Sequence, residues 1–246
     1  MKKYLPLLFS ALFAWCTFGA AVDPDKLSSK DFLELMRRPR GVETWGQMSG
    51  QIDHARSDGR KSSASIYLAT MFAVDRMMSQ VIVDNRQGYL IGQSFDGADS
   101  GTTVTPMHPV ADKPGEDLLG EFGLRAEDLT MSFIYWDFVK ELPRETITFR
   151  TCRVFLLRKG DEYVRLFVNA QYLFPMKVSW YKGKFDEKEA PYRTLEATKF
   201  KEVNDLWLVT RLQLEGPGWR TRVDFTDAKA GYRATMPKDL FRSSLP

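Results

Sequence analysis

Trp219, Thr221, Val223 and Phe225 alternate with Arg220, Arg222, Asp224 and Thr226, so a strand at this place has one apolar face and one wet face. Leu206, Leu208, Leu212 and Leu214 repeat the same period of two. Turn-forming residues punctuate the chain at short intervals, at Asp58-Gly59, Asn85 to Gly88, Lys159-Gly160, Asn204-Asp205 and Gly216 to Gly218. A parallel sheet needs a crossover of a dozen residues or so between strands, and these connections are too short for one. The pattern therefore predicts an antiparallel meander of about ten strands.

Three segments break the alternation. Ile66 to Phe72, Val81 to Val83 and Val154 to Leu157 are apolar on both sides of the pleat, so both faces of the sheet are covered there. Three covers fit the sequence: a helix over Asp31 to Met36, capped by Ser28 or Ser29 and stopped by Pro39 and Gly41; a second helical stretch around Asp128 to Trp136; or a bound apolar ligand. The stretch from Gly97 to Gly123, with Pro106, Pro109 and Pro114, reads as a loop holding one short strand, Thr102 to Pro106. No internal repeat or linker divides residues 22–246, which read as a single domain.

The chain begins with Lys2-Lys3 and then runs without a charge from Tyr4 to Val22. This is the pattern of a secretory signal peptide, with cleavage after Ala21 placing small Gly19 and Ala21 at the two restricted positions. An uncleaved anchor is the competing reading; Pro6 and Gly19-Ala20-Ala21 favour removal. Trp15 before Cys16 argues against lipidation of that cysteine. Removal leaves Cys152 alone, so no internal disulfide forms in an oxidising compartment and the fold rests on its core. Cys152, with Phe149, Val154 and Phe155 in a strand-like run, reads as a buried small hydrophobe.

Composition excludes several chemistries. Lys plus Arg number 35 against 32 Asp plus Glu, and the two signs interleave, so the basic stripe of a nucleic-acid binder is missing. His54, a polar position near a strand end, and His108, in the irregular loop, lack the spacing of a metal motif, and neither a metal nor a cofactor is expected. Gly92 to Asp96 lacks the second glycine of a nucleophile elbow, which leaves Ser94 a strand-end hydroxyl. Glu141, Glu145, Glu196 and Glu202 read as solvated strand faces rather than a catalytic pair. Large apolar side chains are plentiful instead: Trp45, Trp136, Trp180, Trp207 and Trp219, with Met71, Met77, Met78, Met131 and Met176. They suit an ordinary core or the lining of a cavity for apolar partners.

The run Asp128-Leu129-Thr130-Met131-Ser132-Phe133-Ile134-Tyr135-Trp136-Asp137 resembles the LolA/LolB-like superfamily of outer-membrane lipoprotein-sorting proteins. So do Cys152-Arg153-Val154, Arg165 to Asn169, Leu173-Phe174-Pro175-Met176-Lys177, Leu206-Trp207 and Met236 to Phe241. The resemblance spans roughly Gly41 to the end. Phe167-Val168-Asn169 departs from it, standing where relatives commonly carry Trp-Val-Asp. It implies a mainly β fold: a large curved antiparallel sheet forming an incomplete barrel, with helices over an apolar concave face. The implied cavity residues are Ile66, Leu68, Phe72, Val81, Val83, Phe155, Leu166, Val168, Val178, Trp180, Leu206 and Leu208. Arg76, Arg150, Arg153 and Arg165 are equal candidates for an arginine that controls opening.

The resemblance implies a non-enzymatic periplasmic carrier for acyl chains of lipoproteins or other lipids, working between inner-membrane donor and outer-membrane acceptor proteins. Each buried methylene is worth about 0.8 kcal/mol, which is what makes a shielded route through water worthwhile. The alternatives are a lipid-sensing or envelope-associated protein-binding module on the same fold, and a hydrolase with its acid-base pair among the carboxylates.

Overall fold

The computed structural model describes residues 23–37, 42–95, 101–107, 117–171 and 173–243. The expected signal peptide, His108 and the helix stop at Pro39 and Gly41 lie outside them. Helix α1 (Ser29–Arg37) precedes five strands, β1 (Thr44–Arg56), β2 (Lys61–Phe72), β3 (Arg76–Val83), β4 (Gln87–Ser94) and β5 (Thr102–Met107). Two short helices follow, α2 (Leu118–Glu121) and α3 (Ala126–Thr130), then a 3-10 turn at Ser132–Tyr135. The remaining strands are β6 (Asp137–Ile147), β7 (Arg150–Lys159), β8 (Glu162–Asn169), β9 (Phe174–Lys182), β10 (Arg193–Val203), β11 (Leu206–Gly216) and β12 (Trp219–Tyr232).

All twelve strands join one antiparallel sheet in the order β5-β4-β3-β2-β1-β12-β11-β10-β9-β8-β7-β6. The meander was expected; its length was underestimated because β6 is exposed at most positions and shows no clean alternation. β5 and β6 form the two edges, so the sheet curls without closing and remains an incomplete barrel. Both edges are blunted against pairing with other chains. β6 carries Pro143, Lys140, Arg144 and two register shifts, and β5 carries Pro106.

The hairpins show how the turn residues set the register. Gly59, Gly160 and Gly218 take positive φ, as do Asp84-Asn85 and Asn204-Asp205, residue types that tolerate the left-handed region. Leu173 in the β8–β9 connection, with φ of 54°, departs from this, and so does the β6–β7 hairpin. Its tip is Thr148-Phe149, with φ of 46° and 65°, a conformation that costs roughly 1–2 kcal/mol per residue away from glycine. The sequence placed Phe149 in a strand with Cys152; the structure puts it at this tip, 99% exposed. Nothing in Thr-Phe announces a turn.

The inner face carries the main core, and α1, α2, α3 and the 3-10 turn lie over it. α1 begins where Ser28 Oγ accepts from the Asp31 amide and donates to its carboxylate, so Ser28 rather than Ser29 is the cap. Phe32, Leu33 and Met36 form its buried stripe. The helical stretch expected around Asp128 to Trp136 is broken, because Met131 takes φ of 55° between α3 and the 3-10 turn.

The outer face of β1 to β3 is covered by something the sequence did not indicate. The carboxy-terminal segment crosses it, packing Leu240 against Trp45, Tyr67, Ala69 and Ile82. Tyr67 Oη donates to the Leu240 carbonyl at 2.7 Å, and buried Gln80 donates to the Arg242 carbonyl at 2.7 Å while accepting from its amide at 2.8 Å. The two-sided character of β2 and β3 is thus satisfied by α2, α3 and their neighbours inside and by this strap outside. The strap is irregular and mixes Pro237, Lys238 and Asp239 with its apolar residues, so it has no periodicity to read.

Candidate functional site

Register carries inward side chains across the sheet in rows. Phe155, Leu166, Val178, Leu195, Leu214, Thr221 and His54 face one another from β7 to β1. A neighbouring row holds Leu157, Val164, Trp180 and Arg193. On the other half, Leu68 and Val81 pair, as do Ile66 and Val83. Phe72, Val168, Leu206 and Leu208 complete the set, and all twelve residues named from the sequence fall in one buried apolar cluster.

The covering helices touch this cluster directly. Phe32 of α1 stacks on Phe155 with ring centroids 5.3 Å apart, and Phe133 meets Trp180 edge-on at 5.4 Å. The two covers are also clipped together. Arg37 donates from Nε to the Ile134 carbonyl at 2.7 Å and from Nη2 to the Trp136 carbonyl at 2.6 Å, and Tyr135 Oη donates to the Arg37 carbonyl at 2.9 Å. Burial pushes the Tyr135 hydroxyl far above its ordinary pKa, which keeps it a donor at any working pH.

Charged groups hold the covers to the sheet. Arg193, inward-facing on β10, grips Asp128 of α3 with Nη2–Oδ2 at 2.6 Å and Nη1–Oδ1 at 3.1 Å, and donates to the Gly123 carbonyl. Both side chains are buried, and the guanidinium lies 4.7 Å from the Trp180 ring centroid. Burial drives the Asp128 carboxyl upward from its usual range, against the pull of Arg193 and the Arg125 amide. Arg125 continues the tether outward, donating to Glu162 at 2.9 Å and to Tyr192 Oη at 2.9 Å.

A second tether holds α1. Arg153 on β7 is buried between the rings of Phe32 and Phe155 and binds Glu141 of β6 in a two-point pair at 2.8 and 2.7 Å. Its Nη1 also donates to the Pro24 and Leu27 carbonyls, while Ser29 Oγ donates to Glu141. The Arg153 hydrogen bonds are the largest influence holding the Glu141 carboxyl below its ordinary value. Among the four candidate arginines, Arg153 alone is buried. Arg165 pairs with Glu145, Arg76 with Asp75 on the surface, and Arg150 sits at the β6–β7 turn.

His54 is a structural histidine. It lies near the end of β1 as expected, but buried and facing inward. Thr221 donates its hydroxyl to the Phe122 carbonyl at 2.5 Å, so His54 Nδ1 must donate to Thr221 Oγ1 at 2.8 Å. This chain of bonds fixes the end of α2 to the sheet, and burial lowers the His54 pKa, keeping the ring neutral. Glu141 and Glu196 each pair with a cation on the neighbouring strand, and Glu145 of β6 pairs with Arg165 of β8, across β7. Cys152 is buried, as read, and burial raises its thiol pKa. At the seam between the sheet edges is a cavity of about 190 Å³, lined by Gln93, Thr102, Tyr135, Trp136, Asp137 and Arg158 among others.

Sequence reasoning missed Arg193 and Asp128. The available signal was Arg193 standing in step with Leu195 and Ala197 on an apolar strand face, where a charge needs a buried partner.

No protein-family model and no curated protein matches this sequence. Solved structures do. A DUF1329 family protein from Desulfovibrio piger aligns with a TM-score of 0.60 at 15% identity, covering 88% of this chain and 97% of that one. A domain described as an outer membrane lipoprotein-sorting protein, from Vibrio parahaemolyticus, aligns with a TM-score of 0.54 at 14% identity over 79% of this chain and 87% of that one. A LolA superfamily protein from Nitrosomonas europaea aligns at 18% identity over 82% of this chain and 93% of that one, with a TM-score of 0.49. The chain has a LolA/LolB-like fold. Within that LolA-like frame, the apolar inner face and its two tethered covers are the candidate site.

Asp128→Asn leaves the Arg193 charge buried without a counterion, and is expected to cost about 3–5 kcal/mol in urea unfolding. Glu141→Gln tests the second tether. A depressed carboxyl pKa contributes stability that is complete above its unfolded value and is lost as pH falls through its folded value. The stability gap between wild type and Glu141→Gln should therefore stay constant from pH 7 to about 5 and shrink below about pH 4.

Proposed function

We propose that this chain is a periplasmic carrier that takes acyl chains of lipoproteins or other lipids against the inner face of its sheet and moves them toward the outer membrane. The observation that carries this reading is the construction of the interior. A largely apolar face, interrupted at Arg193, Thr221 and His54, spans from β7 to β3, and what closes it is a set of short helices fastened by side-chain contacts rather than by sheet hydrogen bonds. Covers of this kind separate from the sheet without breaking a strand ladder, and an acyl chain replaces the apolar contacts they give up. The lipoprotein-sorting description of the Vibrio structure with the same fold supports the same reading. Among the described residues no helix is long and apolar enough to cross a membrane. The cover residues Phe32 and Phe133 are the first that cargo displaces, and inner-membrane donor and outer-membrane acceptor proteins complete the route.

Native mass spectrometry with solvent extraction, on protein purified from the periplasm without detergent, is expected to show bound acyl species. Delipidated protein should take up a fluorescent fatty-acyl probe, and Asp128→Asn, with its cover loosened, should take it up several-fold faster. A clean apo mass together with no uptake by either protein contradicts the proposal.

A further inference from the structure

The cavity at the seam has polar walls, and most of their hydrogen-bonding groups are committed inside the protein. Gln93 of β4, 1% exposed, donates from Nε2 to the Ser94 carbonyl at 2.9 Å and accepts from Thr102 Oγ1 of β5 at 2.5 Å. Tyr135 gives its hydroxyl hydrogen to the Arg37 carbonyl, and its ring stacks on Phe95 with centroids 5.5 Å apart. These contacts hold one wall in place.

Two lining groups differ. Trp136 is 6% exposed, and among the described residues its indole Nε1–H has no acceptor. A buried donor left unpaired is destabilising, and a folded protein that keeps one calls for a partner from elsewhere. Arg158 of β7 donates from Nε to the Gly160 carbonyl at 2.7 Å, and no carboxylate among the described residues pairs with its guanidinium. Lys159 adds a second cation; its Nζ lies 5.8 Å from the Trp136 ring centroid while pairing with Glu127 at 3.0 Å. Asp137, opposite Arg158 across the β6–β7 ladder, is the one carboxylate in the lining among the described residues.

What the cavity lacks is an acceptor. Its uncommitted donors are a neutral N–H and a guanidinium, set on a turn and on a strand, and the two cations outweigh Asp137. A phosphate, with oxygens directed tetrahedrally, meets donors on two walls better than a flat carboxylate does. Pockets that enclose whole ligands start at about 300 Å³. A volume of about 190 Å³ therefore suits a small polar group and excludes an acyl chain.

We propose that the seam cavity is a phosphate-binding site, in which the Trp136 indole N–H and the Arg158 guanidinium hold the phosphate oxygens and Lys159 adds charge. The same chemistry serves free phosphate, a small phosphate ester, or the headgroup of a phospholipid whose acyl chain lies against the inner face. Only the last of these rests on the carrier reading. The Trp136 carbonyl also accepts from Arg37, so the residue that meets the phosphate is one that joins the two covers.

The test follows the indole N–H resonances of the protein by heteronuclear NMR, with Trp136→Phe assigning the Trp136 signal. The titrants are inorganic phosphate, acetate, glycerol phosphate, a lysophosphatidate and the monoacylglycerol of the same chain length. Phosphate or one of its esters is expected to shift the Trp136 resonance saturably, and Arg158→Gln to weaken that binding at least fivefold with the thermal midpoint unchanged. A shift by free phosphate and glycerol phosphate assigns a soluble ligand, and a shift by lysophosphatidate alone assigns a lipid headgroup. No shift with any phosphate compound, a shift that Arg158→Gln leaves as strong, or acetate binding as tightly as phosphate overturns the proposal. Lysophosphatidate that binds no better than glycerol phosphate, with monoacylglycerol not bound at all, leaves the phosphate site standing and removes the carrier reading. Tight monoacylglycerol binding with no Trp136 shift by any phosphate compound does the reverse.

Discussion

The buried pair between Asp128 and Arg193 is the point on which the two halves of this molecule depend. The sheet has two free edges, and residues 117–136, which lead into the edge strand β6, lie across the apolar inner face. That connecting segment has little regular structure of its own; α2 and α3 are a turn or so each. An ion pair in a dry interior gives it one position, since any displacement strands a charge without water or partner. Phe133 on Trp180 and the Thr221 bond to Phe122 then follow from that placement.

The same logic governs α1 from the other side. Arg153 offers donors in several directions, and they are met by the Glu141 carboxylate and by the Pro24 and Leu27 carbonyls before the helix begins. One buried guanidinium thus orders an edge strand and a helix entrance together. The clip between Arg37 and the carbonyls of Ile134 and Trp136 makes the two covers a single unit. An interior closed in this way has its strength in a few polar contacts at the margins, and its apolar contacts, though larger in sum, are non-directional and exchangeable for those of a hydrocarbon chain.

Much of this fold was readable from residues. The alternation in β11 and β12, and the glycine and Asn-Asp turns, follow from side-chain period and backbone freedom, both of which are local. The twelve inner-face residues were found because burial shows in sequence as apolar parity, although parity does not distinguish a packed core from a space that opens. The failures share a cause. The strap over Tyr67 and Gln80 and the Arg193–Asp128 pair are both set by contacts between residues far apart in sequence. Phe149 was misplaced for the opposite reason: its turn contradicts the local preference of its own residues.

The proposed carriage requires the covers to leave the inner face while the sheet keeps its pairing. Hydrogen–deuterium exchange of the protein with and without a bound lysophospholipid measures this most directly. Faster exchange is expected in Ser29–Arg37 and across Leu118–Tyr135 on binding, with β8 and β9 unchanged. Lipid bound at saturation with no change in the covers, or with loosening confined to the strands, contradicts it.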